Sequence, residues 1–340
     1  MRSCLCLLVV MLLGGALLWA DDMVRPPGEA EDTASLPAAE PTARLATYRD
    51  LVAARSRLLL RLRLLRARRY TPDVASNPGK GEQLERDIRS AFGEVVALYD
   101  RYLKDHPDDA RAHYDLGEHY YSEVQEESRA AELWRRAIEL DPTFDEAHNS
   151  LAVQCADSAQ HEKALRHIRK AIELNPDVAV YHFNAATFYF NFRLAAMELF
   201  GWDLPRVWKE MMAEYERSLE LDPANFTAAE GCAQCFYFAH YFGVGKQYDE
   251  AQAAWERVLP LAPDRGQKVM VLTNLARFSL LAGDRDAARR YLEQALQLEP
   301  RDPAARLLKR KLEDGESIAL PPERQRPGVG SSGWLLPEER

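Results

Sequence analysis

The chain has 340 residues, a formal net charge of −9 and a sequence pI near 5.5, so nucleic acid is not its expected main partner. Five cysteines in that length do not make a disulfide framework. Strand signals are weak, and segments rich in Leu, Ala, Glu and Arg favour helix throughout.

In chain order, residues 1–20 carry Arg2 and an almost unbroken apolar run from Leu5 to Trp19, the pattern of a secretory signal. The expectation is cleavage near Asp21 and export to a periplasm or the exterior, with retention as a membrane anchor the alternative if Leu18 spoils the cleavage site. Cys4 and Cys6 would leave with the signal. Residues 21–42 are rich in Pro, Ala and acids without periodicity, and read as a disordered linker. Residues 43–70 then hold nine arginines against Asp50 alone, a net +8. Leu51, Leu58, Leu62 and Leu65 place an apolar stripe on that basic helix. Two uses compete: docking on the chain's own acidic remainder as a terminal cap, or contact with an anionic surface or membrane. Residues 71–81 are a turn-rich connector, which closes a basic segment spanning 43–81.

From residue 82 to residue 314 one pattern recurs. Prolines close helices at 107, 142, 176, 223, 263 and 300, at spacings of 35, 34, 47, 40 and 37 residues. Ahead of each proline from 142 onward stand paired positions: Ala130 and Ala137, Ala164 and Ala171, Met211 and Ser218, Ala251 and Val258, Ala288 and Ala295. Between the members of each pair lies a bulky residue, respectively Trp134, Ile168, Tyr215, Trp255 and Leu292. The preceding helices carry apolar quartets at 0, 3, 4, 7 spacing: His113-Leu116-Gly117-Tyr120, His148-Leu151-Ala152-Cys155, His182-Ala185-Ala186-Tyr189, Ala229-Cys232-Ala233-Phe236 and Leu272-Leu275-Ala276-Ser279. One such helix pair cannot bury its face alone, so it must stack on its neighbours.

This resembles the tetratricopeptide repeat, with Leu116-Gly117 and Tyr120 the nearest match to its usual Leu-Gly-x-x-Tyr. The resemblance implies an all-α solenoid, a right-handed superhelix of antiparallel helix pairs. About five repeats are expected, with an N-terminal half repeat from Glu82 to Asp105 and a C-terminal capping helix from Pro303 to Asp314. Residues 315–340 are a Pro- and Gly-rich tail expected to be disordered. Two repeats are enlarged, by 13 residues around Phe190–Glu210 and by six around Phe236–Tyr248, and both insertions are aromatic. Insertions in a repeat map to one face, often the binding face.

Chemistry-bearing residues are few. Cys232 and Cys235 form a CxxC that lacks a following His and a second Cys pair, and Cys232 falls in a buried quartet; packing is the expected role. His113, His148 and His182 share one slot in consecutive repeats, but stacked helices lie about 8–10 Å apart and zinc ligands must converge within about 2.1 Å. No metal, cofactor or catalytic site is therefore expected. The segments outside the repeats, roughly 60 and 40 residues, are small for a catalytic domain. In the family, the opposite face of the first helices lines a concave groove for a protein or peptide. Here that face carries Tyr114, Tyr121, Asn149, Phe183, Phe190 and Tyr237 as the expected partner-binding residues. Asn184 and Asn274 lie nearby without enough bases for a carboxylate clamp. The expected function is thus an exported, non-enzymatic scaffold, with an envelope or membrane-surface assembly protein using residues 43–70 as the alternative.

Overall fold

The computed structural model describes residues 45–318; the expected signal, the acidic linker and most of the tail lie outside them. Among the described residues there are helices and no strands, and no helix is long and apolar enough to cross a membrane. The chain divides into two units, whose described parts are residues 45–154 and 155–318.

In the first unit, helix α1 (Tyr48–Ala67) opens on a capping box, Thr47 and Asp50 each bonding the other's backbone N–H. Its Leu51 and Leu58 pack with Val95, Leu98, Tyr99 and Tyr102 of α2 (Pro78–Asp105). Leu62 and Leu65 pack with Leu84, Ile88 and Phe92 of α2 and with Val74 of a connecting turn, Pro72–Ala75. The basic helix thus supplies the first half of the repeat that the sequence left incomplete, and the half repeat becomes a full pair. Of its leucines, only Leu60 remains largely exposed, at 49%, so the stripe that could have entered a bilayer is spent on α2.

Helices α3 (Ala110–His119) and α4 (Glu127–Leu140) form the next pair. Between them Tyr120–Val124 is a π-helical turn that exits through Gln125 in the left-handed region (φ 58). This is where the 35-residue spacing places its extra residue, since a π turn absorbs one residue without breaking the helix. Gly117 is required here: a Cβ on it would lie 2.6 Å from Nε1 of the buried Trp134. Helix α5 (Asp145–Asp157) begins in this unit and ends in the second.

The second unit contains α6 (His161–Leu174), α7 (Ala179–Asn191), α8 (Arg193–Phe200) and α9 (Leu204–Leu221). The larger insertion folds as α8, a separate short helix ended by Gly201 at φ 68, instead of lengthening α7. It lies against α6, α7 and α9, with Arg169 over the Phe200 ring at 4.5 Å. Helix α10 (Phe226–Cys235) runs into a 3-10 segment, Phe236–Phe242, which is the smaller insertion, closed by Gly243 at φ 73. Then come α11 (Tyr248–Val258), α12 (Arg265–Ala282), α13 (Arg285–Leu298) and the capping helix α14 (Pro303–Glu313). Ala305, Leu308 and Leu312 of α14 close the core formed by Val269, Leu272, Leu292 and Ala295. The small positions ahead of the prolines are buried throughout, and so are the bulky residues between them.

Candidate functional site

The face of the first helices opposite the buried quartets is built differently in the two units. In the first unit, Arg111, Tyr114 and Glu118 lie one turn apart on α3, and Glu146, Asn149 and Ser150 lie on α5. Arg111 Nη1 donates to both carboxylate oxygens of Glu146, at 2.8 and 3.0 Å. Ser150 Oγ donates to Glu118 Oε1 at 2.8 Å and lies 3.4 Å from the Tyr114 hydroxyl. The Tyr114 ring packs on Phe144 at 5.0 Å. Asn149 is half-buried beside Ser150.

Behind this row sits Asp115, 5% exposed, which accepts from Arg55 Nη1 of α1 at 2.5 Å, Arg111 Nε at 3.1 Å and the Tyr48 hydroxyl. Arg55 also donates to the Tyr99 hydroxyl at 3.0 Å. Burial, together with the Arg55 charge, pulls the neighbouring His119 down to about 4, so it is neutral at physiological pH. Burial pushes Glu118 up to about 7, with the Asp115 and Glu146 charges adding to the shift and the Ser150 bond opposing it. Sequence reasoning missed Asp115, Tyr48 and Arg55. One signal was present: Arg55 lies on the leucine stripe, four residues after Leu51, and a charge on an apolar face needs a partner.

Tyr121 does not join the row. The π turn rotates it toward the second helix of its own repeat, where it packs on Trp134 at 5.5 Å.

In the second unit, Phe183 is 5% exposed and meets the Tyr215 ring edge-on at 6.2 Å. Phe190 lies between Phe238 and Phe242 of the 3-10 insertion, at 5.3 and 5.9 Å. The Tyr237 hydroxyl donates to Asn274 Oδ1 at 2.6 Å and accepts from Arg277 Nη1 at 3.3 Å. Its ring packs on Phe278 at 4.8 Å. Phe190 is therefore held by the insertion, Tyr237 bridges successive first helices, and Phe183 presents almost no surface.

Cys232 and Cys235 are both buried, and burial raises their thiols, Cys232 to about 12 and Cys235 further. No group of His, Cys, Asp or Glu among the described residues is arranged to hold a metal ion. The histidine slot has a structural use: Nε2 of His113 and of His182 donates to the carbonyls of Pro107 and Pro176 respectively, each at 2.9 Å. In both cases the ring ties a first helix to the proline turn before it.

Fold and face together define an all-α helix-pair repeat protein. The tetratricopeptide repeat profile matches residues 96–143 and 271–302, and the chain is a tetratricopeptide-repeat protein. Among solved structures, it is similar to the C-terminal part of a TPR repeat-containing protein from Cytophaga hutchinsonii, at 13% identity and a TM-score of 0.52, over 76% of this chain and 94% of that one. YrrB, a TPR protein with an unusual peptide-binding site, aligns over 62% of this chain and 97% of its own at 18% identity and a TM-score of 0.47. PilF of Pseudomonas aeruginosa aligns over 66% and 91% at 18% identity and 0.46. These likenesses concern the fold alone. No curated protein sequence matches the chain.

Proposed function

We propose that this chain is an exported, non-enzymatic scaffold that holds a segment of a partner protein on the face formed by the first helices α3 and α5. Repeat proteins of this kind present extended surfaces built from equivalent positions of successive units. The observation that carries the reading is the row of α3 and α5, where Arg111–Glu146, Glu118–Ser150 and Tyr114–Phe144 fix the side chains across two helices before any partner arrives. A surface already ordered loses less entropy on binding. Asn149 and Tyr114 are the residues of the expected set best placed on it; Tyr237 belongs to the second unit, in the 3-10 segment after α10. Support for the non-enzymatic part comes from the two buried thiols of the CxxC, whose raised values keep them from acting as thiolates near neutral pH.

Export rests on the apolar run after Arg2, and N-terminal sequencing of the natural protein should return a start near Asp21. The alternative use of residues 43–70 against an anionic surface has Arg49, Arg57, Arg63, Arg68 and Arg69 as its exposed arginines among the described residues, with Arg69 paired to Glu85. The binding test is an affinity isolation with Arg111→Ala and Asn149→Ala, singly and combined. Partner recovery should fall in both while the melting temperature changes by no more than a few degrees. Unchanged recovery in the combined variant would remove this face from the account.

A further inference from the structure

The carboxylates and guanidiniums on the α3–α5 face do not balance. Facing one another are Asp115 and Glu118 of α3 and Glu146 of α5, with Arg111 of α3 and Arg55 reaching in from α1. Asp115 holds both arginines and Glu146 holds Arg111. Among the described residues, no arginine or lysine pairs with Glu118. Its bonding partners are the neutral hydroxyls of Ser150, at 2.8 Å, and Tyr114, and the adjacent His119 is neutral. The Tyr48 hydroxyl is taken by Asp115 and the Tyr99 hydroxyl by Arg55. One carboxylate is therefore in surplus over the cations, on a half-buried side chain that faces the same way as the proposed binding row.

We infer that Glu118 is the seat for a lysine or arginine side chain of the partner segment, the cationic head taking the place that no arginine among the described residues fills. The inference rests on the proposed use of this face and adds the chemistry of the ligand. A half-buried carboxylate without a counter-ion holds a proton near neutral pH, as burial and the two neighbouring carboxylates require of Glu118. An incoming ammonium or guanidinium replaces that proton, gains a charge-assisted hydrogen bond, and leaves Ser150 in place as a second donor. An acidic segment would meet Glu118 and Glu146 instead, and like charges brought together in a desolvated contact repel. Binding on Glu118 also releases a proton, so affinity must rise with pH.

The test is selection of random twelve-residue peptides on the immobilised mature chain, followed by titration of one enriched, histidine-free peptide. The expected peptide contains a fixed Lys or Arg whose replacement by an uncharged residue of similar length weakens binding roughly tenfold or more. Between about pH 6 and 8 its affinity should rise several-fold in the natural protein and stay flat in Glu118→Gln, which should also bind it weakly at any pH. Melting curves confirm that Glu118→Gln is folded; should it not be, the peptide substitution and the pH series on the natural protein decide alone. Peptides that lose binding with Asn149→Ala, yet are indifferent to loss of their basic residue, overturn this inference and leave the proposed face intact. A failure to enrich any peptide, or enrichment indifferent to Asn149→Ala, overturns both.

Discussion

The hold of α1 on the rest of the first unit turns on Asp115, and Asp115→Ala tests it. The side chain of Asp115 is 6% exposed and that of Arg55 is 21% exposed. Removing the carboxylate leaves the Arg55 guanidinium, which cannot discharge itself, with the Tyr99 hydroxyl as its remaining bond. Breaking a fully buried ion pair costs about 3–5 kcal/mol; the partial exposure of Arg55 reduces this to roughly 2–3 kcal/mol. The comparison variant is Glu85→Gln, which breaks a pair with Arg69 in which both side chains are 41% exposed, worth less than about 1 kcal/mol. Native-state hydrogen exchange of the α1 amides separates them, because each 1.4 kcal/mol is about a tenfold change in the opening equilibrium. Asp115→Ala should exchange roughly 30- to 150-fold faster across Tyr48–Ala67, and the difference should persist in strong salt. Glu85→Gln should differ little, and less still as salt screens it. Equal exchange in the two variants would refute the reasoning and leave the leucine stripe as the whole anchor.

Other expectations follow from the same geometry. Gly117→Ala should lower the melting temperature despite the better helix propensity of Ala: the indole of Trp134 stands 2.6 Å from the new Cβ, and overpacking costs about 1–3 kcal/mol against about 1 kcal/mol gained. A thiol reagent should label Cys232 and Cys235 no faster than the second unit unfolds, since burial holds both thiols protonated; rapid labelling of the native chain would contradict this. Glu118 is raised from 4.5 to about 7, so its burial destabilises the fold increasingly as pH climbs across that window. Glu118→Gln should accordingly melt higher than the natural chain at pH 8 and no higher at pH 4. Burial alone would lower His182, but its bonds to Glu214 and the Pro176 carbonyl raise it overall. The stability this gives is complete below the ordinary histidine range and is lost as pH rises through the raised value, so His182→Gln should cost more in mildly acidic than in alkaline buffer.

The helix pairs were legible because helical burial repeats every 3.6 residues and the contact between paired helices demands small side chains at fixed places. Gly117, Ala152, Ala186, Ala233 and Ala276 are all buried where that rule puts them. The candidate face was less legible. Tyr121 left the row because a one-residue surplus, visible as a spacing of 35, was taken up as a π turn that changes the phase of everything after it. Phe183 is buried because α7 is covered all round, with every residue from Tyr181 through Tyr189 buried, and a helix of that kind has no free face to offer. The half repeat proved whole because its first helix lies beyond an unusually long connector. Pairings such as Tyr48 with Asp115 join residues 67 apart and leave no trace in local periodicity.

The most direct test of a partner-binding face is photo-crosslinking from single positions in the natural chain. A photoreactive side chain at Asn149, on α5, is compared with one at the exposed Arg135, on α4. The account predicts one discrete crosslinked partner from Asn149, diminished by Arg111→Ala, and none of that species from Arg135. The same species from Arg135, with none from Asn149, would contradict it.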